Sequence, residues 1–218
     1  MFDLIVQFLT QLGGGPGSTE NNLVRFGLPA FFWAVLFLVV WSRQRTEPLL
    51  RERLLLFGFV LAFLRELFMF LHTAERMIVG PASAAHVTYL EPFEHALAVS
   101  SILVISAAFI RVILDDAKLP RRFLIFGFTA VSIGIVISFL FWPGQRAANP
   151  SLHFHDTAGA WFMHSTKAIF VAAAIIILVK HKGWVRNVVI IALSFLFVSV
   201  LLTLINVLTG RAYDTILC

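Results

Sequence analysis

The sequence predicts an all-α, polytopic transmembrane helix bundle with six spanning helices, and three observations carry that prediction. Of 218 residues, 59% are apolar and only 13% charged, against roughly 45–50% and 25% in an ordinary soluble domain. The apolar residues, which raise the mean hydropathy to +0.89, fall into six long blocks near the roughly 20 residues a helix needs to cross the hydrocarbon. These blocks are continuous, whereas the strands of a membrane barrel alternate with period two. The 23 phenylalanines suit lipid-facing surfaces and leave little polar material for a separate soluble domain.

The chain opens with MFDLIVQFLTQLGGGPGS. Asp3 and the lack of a basic n-region argue against a signal peptide. Phe2 to Leu12 reads as a short interfacial amphipathic helix ended by a Gly/Pro/Ser hinge, so residues 1–22 stand apart from a six-helix domain over 23–210. The expected spans are Phe26 to Ser42, Leu54 to Leu71, Phe93 to Leu114, Phe123 to Trp142, Thr157 to Val179 and Val188 to Val207. Punctuation falls between them at Pro48, Pro120, Pro143 with Gly144, Asn149 with Pro150, and Gly210. Residues 211–218 then form a short extracytoplasmic end, truncated if the chain is a fragment.

Basic residues set the orientation, because Lys and Arg in short loops are retained on the cytoplasmic side. The loops after helices 1, 3 and 5 hold Arg43, Arg45, Arg51 and Arg53, then Arg111, Lys118, Arg121 and Arg122, then Lys180, Lys182 and Arg186. The opposite side holds only Arg25, Arg76, Arg146 and Arg211. Both termini are therefore expected outside the cytoplasm of a bacterial inner membrane. The net charge of +5 is a topology signal spread over loops. It forms no patch that could track a phosphate backbone, so nucleic acid is excluded as a partner. Cys218 is the single cysteine, so the chain can form no internal disulfide and no zinc ribbon.

With that topology the ionisable residues inside the spans gather at one end. At about 1.5 Å of rise per residue, Arg65 and Glu66 lie about 9 Å below the outer end of helix 2, and His164 and Lys167 about 10 and 15 Å into helix 5. The segment EPFEHAL puts Glu91, Glu94 and His95 on one face at the opening of helix 3, since residues three and four apart share a face. Arg65 shares its stripe with Met69 and His72. Six of the seven histidines, at 72, 86, 95, 153, 155 and 164, fall on the outer half.

An ionisable group at the centre of a span costs about 2.5–3.5 kcal/mol on insertion scales, so these side chains should face one another or a wet cavity. Taken singly, each has a structural reading. A buried Arg–Glu pair can simply join helices, and a rim histidine can snorkel. Their convergence on one half points instead to an outward-facing polar pocket between helices 2, 3 and 5. Its ligand-binding candidates are Arg65, Glu66, Glu91, Glu94, His95, His164 and Lys167, where Arg65 and Lys167 can balance two of the three glutamates.

A metal is the second reading, with His95, His164, His153, His155 and Asp156 as candidate ligands, because HFHD offers an H-x-H-D cluster and E-x-x-E-H offers three ligands on one helix face. H-E-x-x-H is absent. A single haem on His95 and His164 is a further option, and retinal on Lys167 has nothing else to support it. The sequence contains no G-x-x-x-x-G-K-[ST], G-x-G-x-x-G or G-x-S-x-G, so no catalytic signature supports an enzyme. A transporter would show paired Gly/Pro-broken helices, and Pro29 has no counterpart in the second half.

RE in helix 2, EPFEHAL at the opening of helix 3, six spans and short basic cytoplasmic loops together resemble the N-terminal multi-pass membrane input domain of bacterial sensor histidine kinases. The resemblance covers most of the chain. It implies a membrane part that senses a ligand or the membrane itself, followed by a seventh span and a cytoplasmic kinase. Neither a phosphoacceptor nor an ATP-binding region lies within these residues. The leading expectation is a sensory, ligand-binding module in the lipid bilayer, taking a small molecule or ion from the extracytoplasmic side and signalling inward. The alternatives are a metal- or haem-binding membrane protein, and a structural subunit that docks through Phe-rich faces, with homo-oligomers or partner membrane subunits.

Overall fold

In a computed structural model of the protein, the residues described are 19–46, 50–79, 84–114, 116–150, 152 and 154–209. They form six long helices: α1 (Thr19–Thr46), α2 (Leu50–Val79), α3 (Ala84–Leu114), α4 (Lys118–Ala148), α5 (Ala158–Val179) and α6 (Trp184–Thr209). A single 3-10 turn, Phe154–Asp156, precedes α5. All six helices are long and apolar enough to cross a membrane, as the composition demands. The expected interfacial helix at Phe2 to Leu12, the hinge after it, His153 and the end at 211–218 lie outside the described residues.

The helices are longer than the apolar blocks. Helix α2 runs on through HTAERM to Val79, and α4 continues for 31 residues, about 46 Å, well beyond a hydrocarbon core of about 30 Å. Hydropathy marks where lipid ends. Helix propensity marks where hydrogen bonding ends, and Ala, Glu, Arg and Met prolong the latter.

Two expected boundaries at prolines move as well. Pro120 sits in the first turn of α4, where its missing N–H would have no intrahelical partner. Pro143 lies inside α4 instead of ending it. It follows directly on Trp142, which is almost wholly buried against Phe154 with ring centroids 5.4 Å apart, so packing holds the last turn helical despite the lost donor.

Helix α3 is the axis of the bundle. Of its apolar window 56% is buried, against 11% for α1 and 17% for α6, and it packs on α2, α4, α5 and α6. Its neighbours approach closely where side chains are small, as membrane helices require in the absence of a hydrophobic drive. A Cβ on Gly58 of α2 would lie 2.7 Å from Ile105 Cγ1 of α3. The turn into α6 passes through Gly183 at φ +140, a conformation that a Cβ disfavours. The core cluster joins Leu103, Ala107 and Ile110 of α3 to Val171, Ala174 and Leu178 of α5. Helix α1 packs on α2, and α6 mainly on α5.

Candidate functional site

Three elements bring the polar residues together at the end of the bundle where α2 finishes and α3 and α5 begin. Arg65 is central. Its Nε donates to Glu94 Oε1 at 2.7 Å and its Nη1 to Glu66 Oε1 at 2.6 Å, while Nη2 also contacts Glu94. One guanidinium therefore bridges two carboxylates on two helices, a geometry its planar fork favours. Glu66 and Glu94 are both buried, so each depends on that cation for neutralisation.

The end of the helix lies farther out than the sequence expectation. Because α2 extends to Val79, Arg65 lies fourteen residues from its end, about 21 Å along the helix, and the added length is the polar stretch beyond the apolar block. It reaches Glu94 because α3 also begins earlier, at Ala84, which sets Glu94 well inside that helix.

His95, one residue on from Glu94, places Nδ1 2.9 Å from the Glu91 carbonyl and 2.8 Å from Glu94 Oε2. Both are acceptors, so Nδ1 carries a ring proton, and in the neutral ring Nε2 then keeps the lone pair. The 3-10 turn supplies His155. It is pinned from two directions: the Phe154 N–H donates to Glu91 Oε2 at 3.1 Å, and the Phe154 ring sits between Trp142 and His95, 5.4 and 5.0 Å from their centroids. Thr157 caps α5, accepting from the Ala160 N–H at 3.3 Å while its hydroxyl donates to the Phe154 carbonyl at 2.6 Å. That cap fixes where α5 starts and hence where His164 and Lys167 fall.

His164 meets both other imidazoles edge to face, at 5.2 Å from His95 and 5.6 Å from His155. Among the described residues, His95, His155 and His164 each offer a ring nitrogen, all within 4.8 Å of one another. They open on a cavity of about 400 Å³. Arg65, Glu66 and Met69 of α2 line it with Glu94 and His95 of α3. Lys167 of α5 stands on the same wall as His164.

The expected ligand-binding set thus divides. Arg65, Glu66, Glu94, His95, His164 and Lys167 share the cavity, whereas Glu91 spends its carboxylate on the turn and is not part of the lining. Of the expected metal ligands, His95, His155 and His164 converge and Asp156 is exposed, outside the convergent group. His72 lies 3.8 Å from Glu75 and also outside the lining.

Two walls were missed by sequence reasoning. Phe26 and Pro29 of α1, and Ser199 and Thr203 of α6, complete the cavity. Ser199 and Thr203 are one helical turn apart in a mostly apolar helix, and that spacing was the available signal. The two-histidine haem expectation fits poorly. Axial imidazoles bond from opposite faces of a macrocycle, and His95 and His164 instead meet edge to face at 5.2 Å, which leaves no slot between them. No family model, curated protein or solved structure matches the chain.

Proposed function

We propose that this chain is a ligand-binding sensory module of a bacterial inner membrane, with the histidine end of the bundle facing away from the cytoplasm. The observation that carries the reading is the cavity of about 400 Å³ lined by Arg65, Glu66, Glu94 and three histidines inside a membrane bundle. Groups so costly to hold in a span are kept where a polar guest can use them. Its size lies within the range of small-molecule sites. The distribution of Lys and Arg over the loops supports the orientation, and the resemblance to sensor kinase input domains supports the sensory role.

The ion triad gives the module a way to respond. An anionic guest that competes for Arg65 weakens its hold on Glu94, and so loosens α2 from α3. Seven residues before Arg65, the same two helices touch at Gly58 and Ile105, so a shift at the triad is carried two turns toward the cytoplasmic ends. A ligand moves such an equilibrium only by its difference in affinity for the two packings.

Thiol labelling tests this in a Cys218→Ser chain carrying Ser199→Cys on the cavity wall. A charged, membrane-impermeant thiosulfonate should modify Ser199→Cys in intact spheroplasts and fail to do so from the cytoplasmic side of inverted vesicles. Phe195→Cys, at a residue 75% exposed on the lipid-facing side of α6, should not react. A Ser199→Cys chain that reacts only after denaturation would sink the cavity reading, and reaction from the cytoplasmic side alone would reverse the orientation.

A further inference from the structure

We infer that His95, His155 and His164 form a binding site for a divalent transition-metal ion, built into the wall of the cavity. The inference rests on the cavity reading above and names what that cavity takes. Three features of the geometry point to it.

The first is convergence from three separate elements. His95 comes from α3, His155 from the 3-10 turn and His164 from α5, and their donor nitrogens stand within 4.8 Å of one another. Nitrogens bonded to one tetrahedral ion at about 2.0–2.1 Å lie about 3.3 Å apart. The remaining closure, from within 4.8 Å to about 3.3 Å, falls to movement of the three rings.

The second is His164 itself. The residue is 5% exposed, and neither Nδ1 nor Nε2 has a hydrogen-bond partner among the described residues. A buried polar atom without a partner has lost its hydrogen bonds to water and gained none in return. A metal bond to one nitrogen offsets that loss at that atom, and His164 is also the ring that touches both of the others.

The third is the support behind His95. Its Nδ1 is held 2.8 Å from Glu94 Oε2 and 2.9 Å from the Glu91 carbonyl, which leaves Nε2 of the neutral ring as the nitrogen for coordination. A carboxylate behind the far nitrogen of a histidine orients metal-binding imidazoles and makes them more basic. Glu94 is in turn fixed by Arg65, so the metal ligand is tied to the triad joining α2 and α3. Glu91 is a positioning residue on the other side, holding the turn that carries His155 through the Phe154 N–H.

Three imidazoles select zinc, copper, nickel or ferrous iron over magnesium or calcium, which want oxygen donors. Three protein ligands also leave a fourth position open. That position faces the cavity, where Lys167 and Arg65 line the wall, so the fourth ligand is a water or a small anionic donor. Edge-to-face packing of the three rings alone is the competing explanation, and it predicts no stoichiometric metal.

The test uses the full chain with Cys218→Ser, purified in nanodiscs without a polyhistidine tag and stripped with a chelator. Titration with zinc(II) against a chromophoric chelator should show one ion per chain. His164→Ala and His155→Ala should each weaken binding by more than the about 10–100-fold that loss of an outer-shell partner causes, while His72→Ala and His181→Ala leave it unchanged. The copper(II) form should show electron-spin couplings to three imidazole nitrogens, falling to two in each ligand variant. His155 stands in a turn outside the long helices, so His155→Ala gives the answer even if His164→Ala fails to fold.

Absence of stoichiometric zinc, or equal affinity in the wild-type, His155→Ala and His164→Ala chains, would overturn the metal site. Ser199→Cys labelling on the same preparation separates the two ideas. Labelling without zinc binding removes the metal alone, and loss of labelling removes the cavity on which it rests.

Discussion

Helix α3 runs through both halves of the bundle and is treated differently in each. Toward its C-terminal end Leu103, Ala107 and Ile110 are wholly buried against α5, with Leu178 equally enclosed. Toward its N-terminal end it turns Glu94 and His95 to a cavity. The apolar half owes its cohesion to close contact between shapes, the only general attraction left between helices when lipid is as apolar as leucine. The polar half holds together through a guanidinium shared by two carboxylates. The difference shows a division of labour, in which one half is held by the fit of apolar shapes and the other by charge around a cavity.

Substitutions at three positions sharpen or break that comparison. Arg65→Ala should have the largest effect, a loss of about 3–5 kcal/mol, because it strands Glu66 and Glu94 as buried, unpaired carboxylates. Denaturant unfolding of the reconstituted protein measures it. Arg65→Lys should recover part of the loss, since the charge returns without the fork. If Arg65→Ala were as stable as the native chain, the triad would not hold the polar half together.

Leu103→Ala comes next, at about 2–5 kcal/mol, through the cavity it opens beside Gly127. Its effect should stay local. Labelling of Ser199→Cys and the affinity for zinc should survive in the folded fraction, and loss of either would mean that the two halves are one cooperative unit. The smallest effect belongs to Phe195→Ala on the lipid-facing side of α6, within about 0.5 kcal/mol. A larger loss there would show that this face is covered by another chain and not by lipid.

Much of this was legible in the residues. Six apolar blocks announced six helices, and the costs of burying Arg65, Glu66, Glu94, His164 and Lys167 announced that they would meet, because no spanning helix can turn them all to lipid. Helix ends were less legible. Pro143 reads as a stop, and only the burial of Trp142 against Phe154 explains why α4 continues past it. Glu91 looked equivalent to Glu94, one turn along the same helix. What separates them is the neighbour each finds, the Phe154 N–H for one and Arg65 for the other.

By itself the sequence determined the class of molecule, the number of spans and the residues that had to find polar company, because hydropathy, helical period and the cost of charge in lipid are properties of short segments. Only the tertiary structure decided which histidines converge. His155 precedes α5 while His95 lies some sixty residues earlier, and no periodicity links them. Their meeting depends on the turn anchored by Glu91 and the start of α5 fixed by Thr157, and the cavity depends further on walls from α1 and α6. Distances between segments arise from packing, and packing is settled by the whole bundle at once.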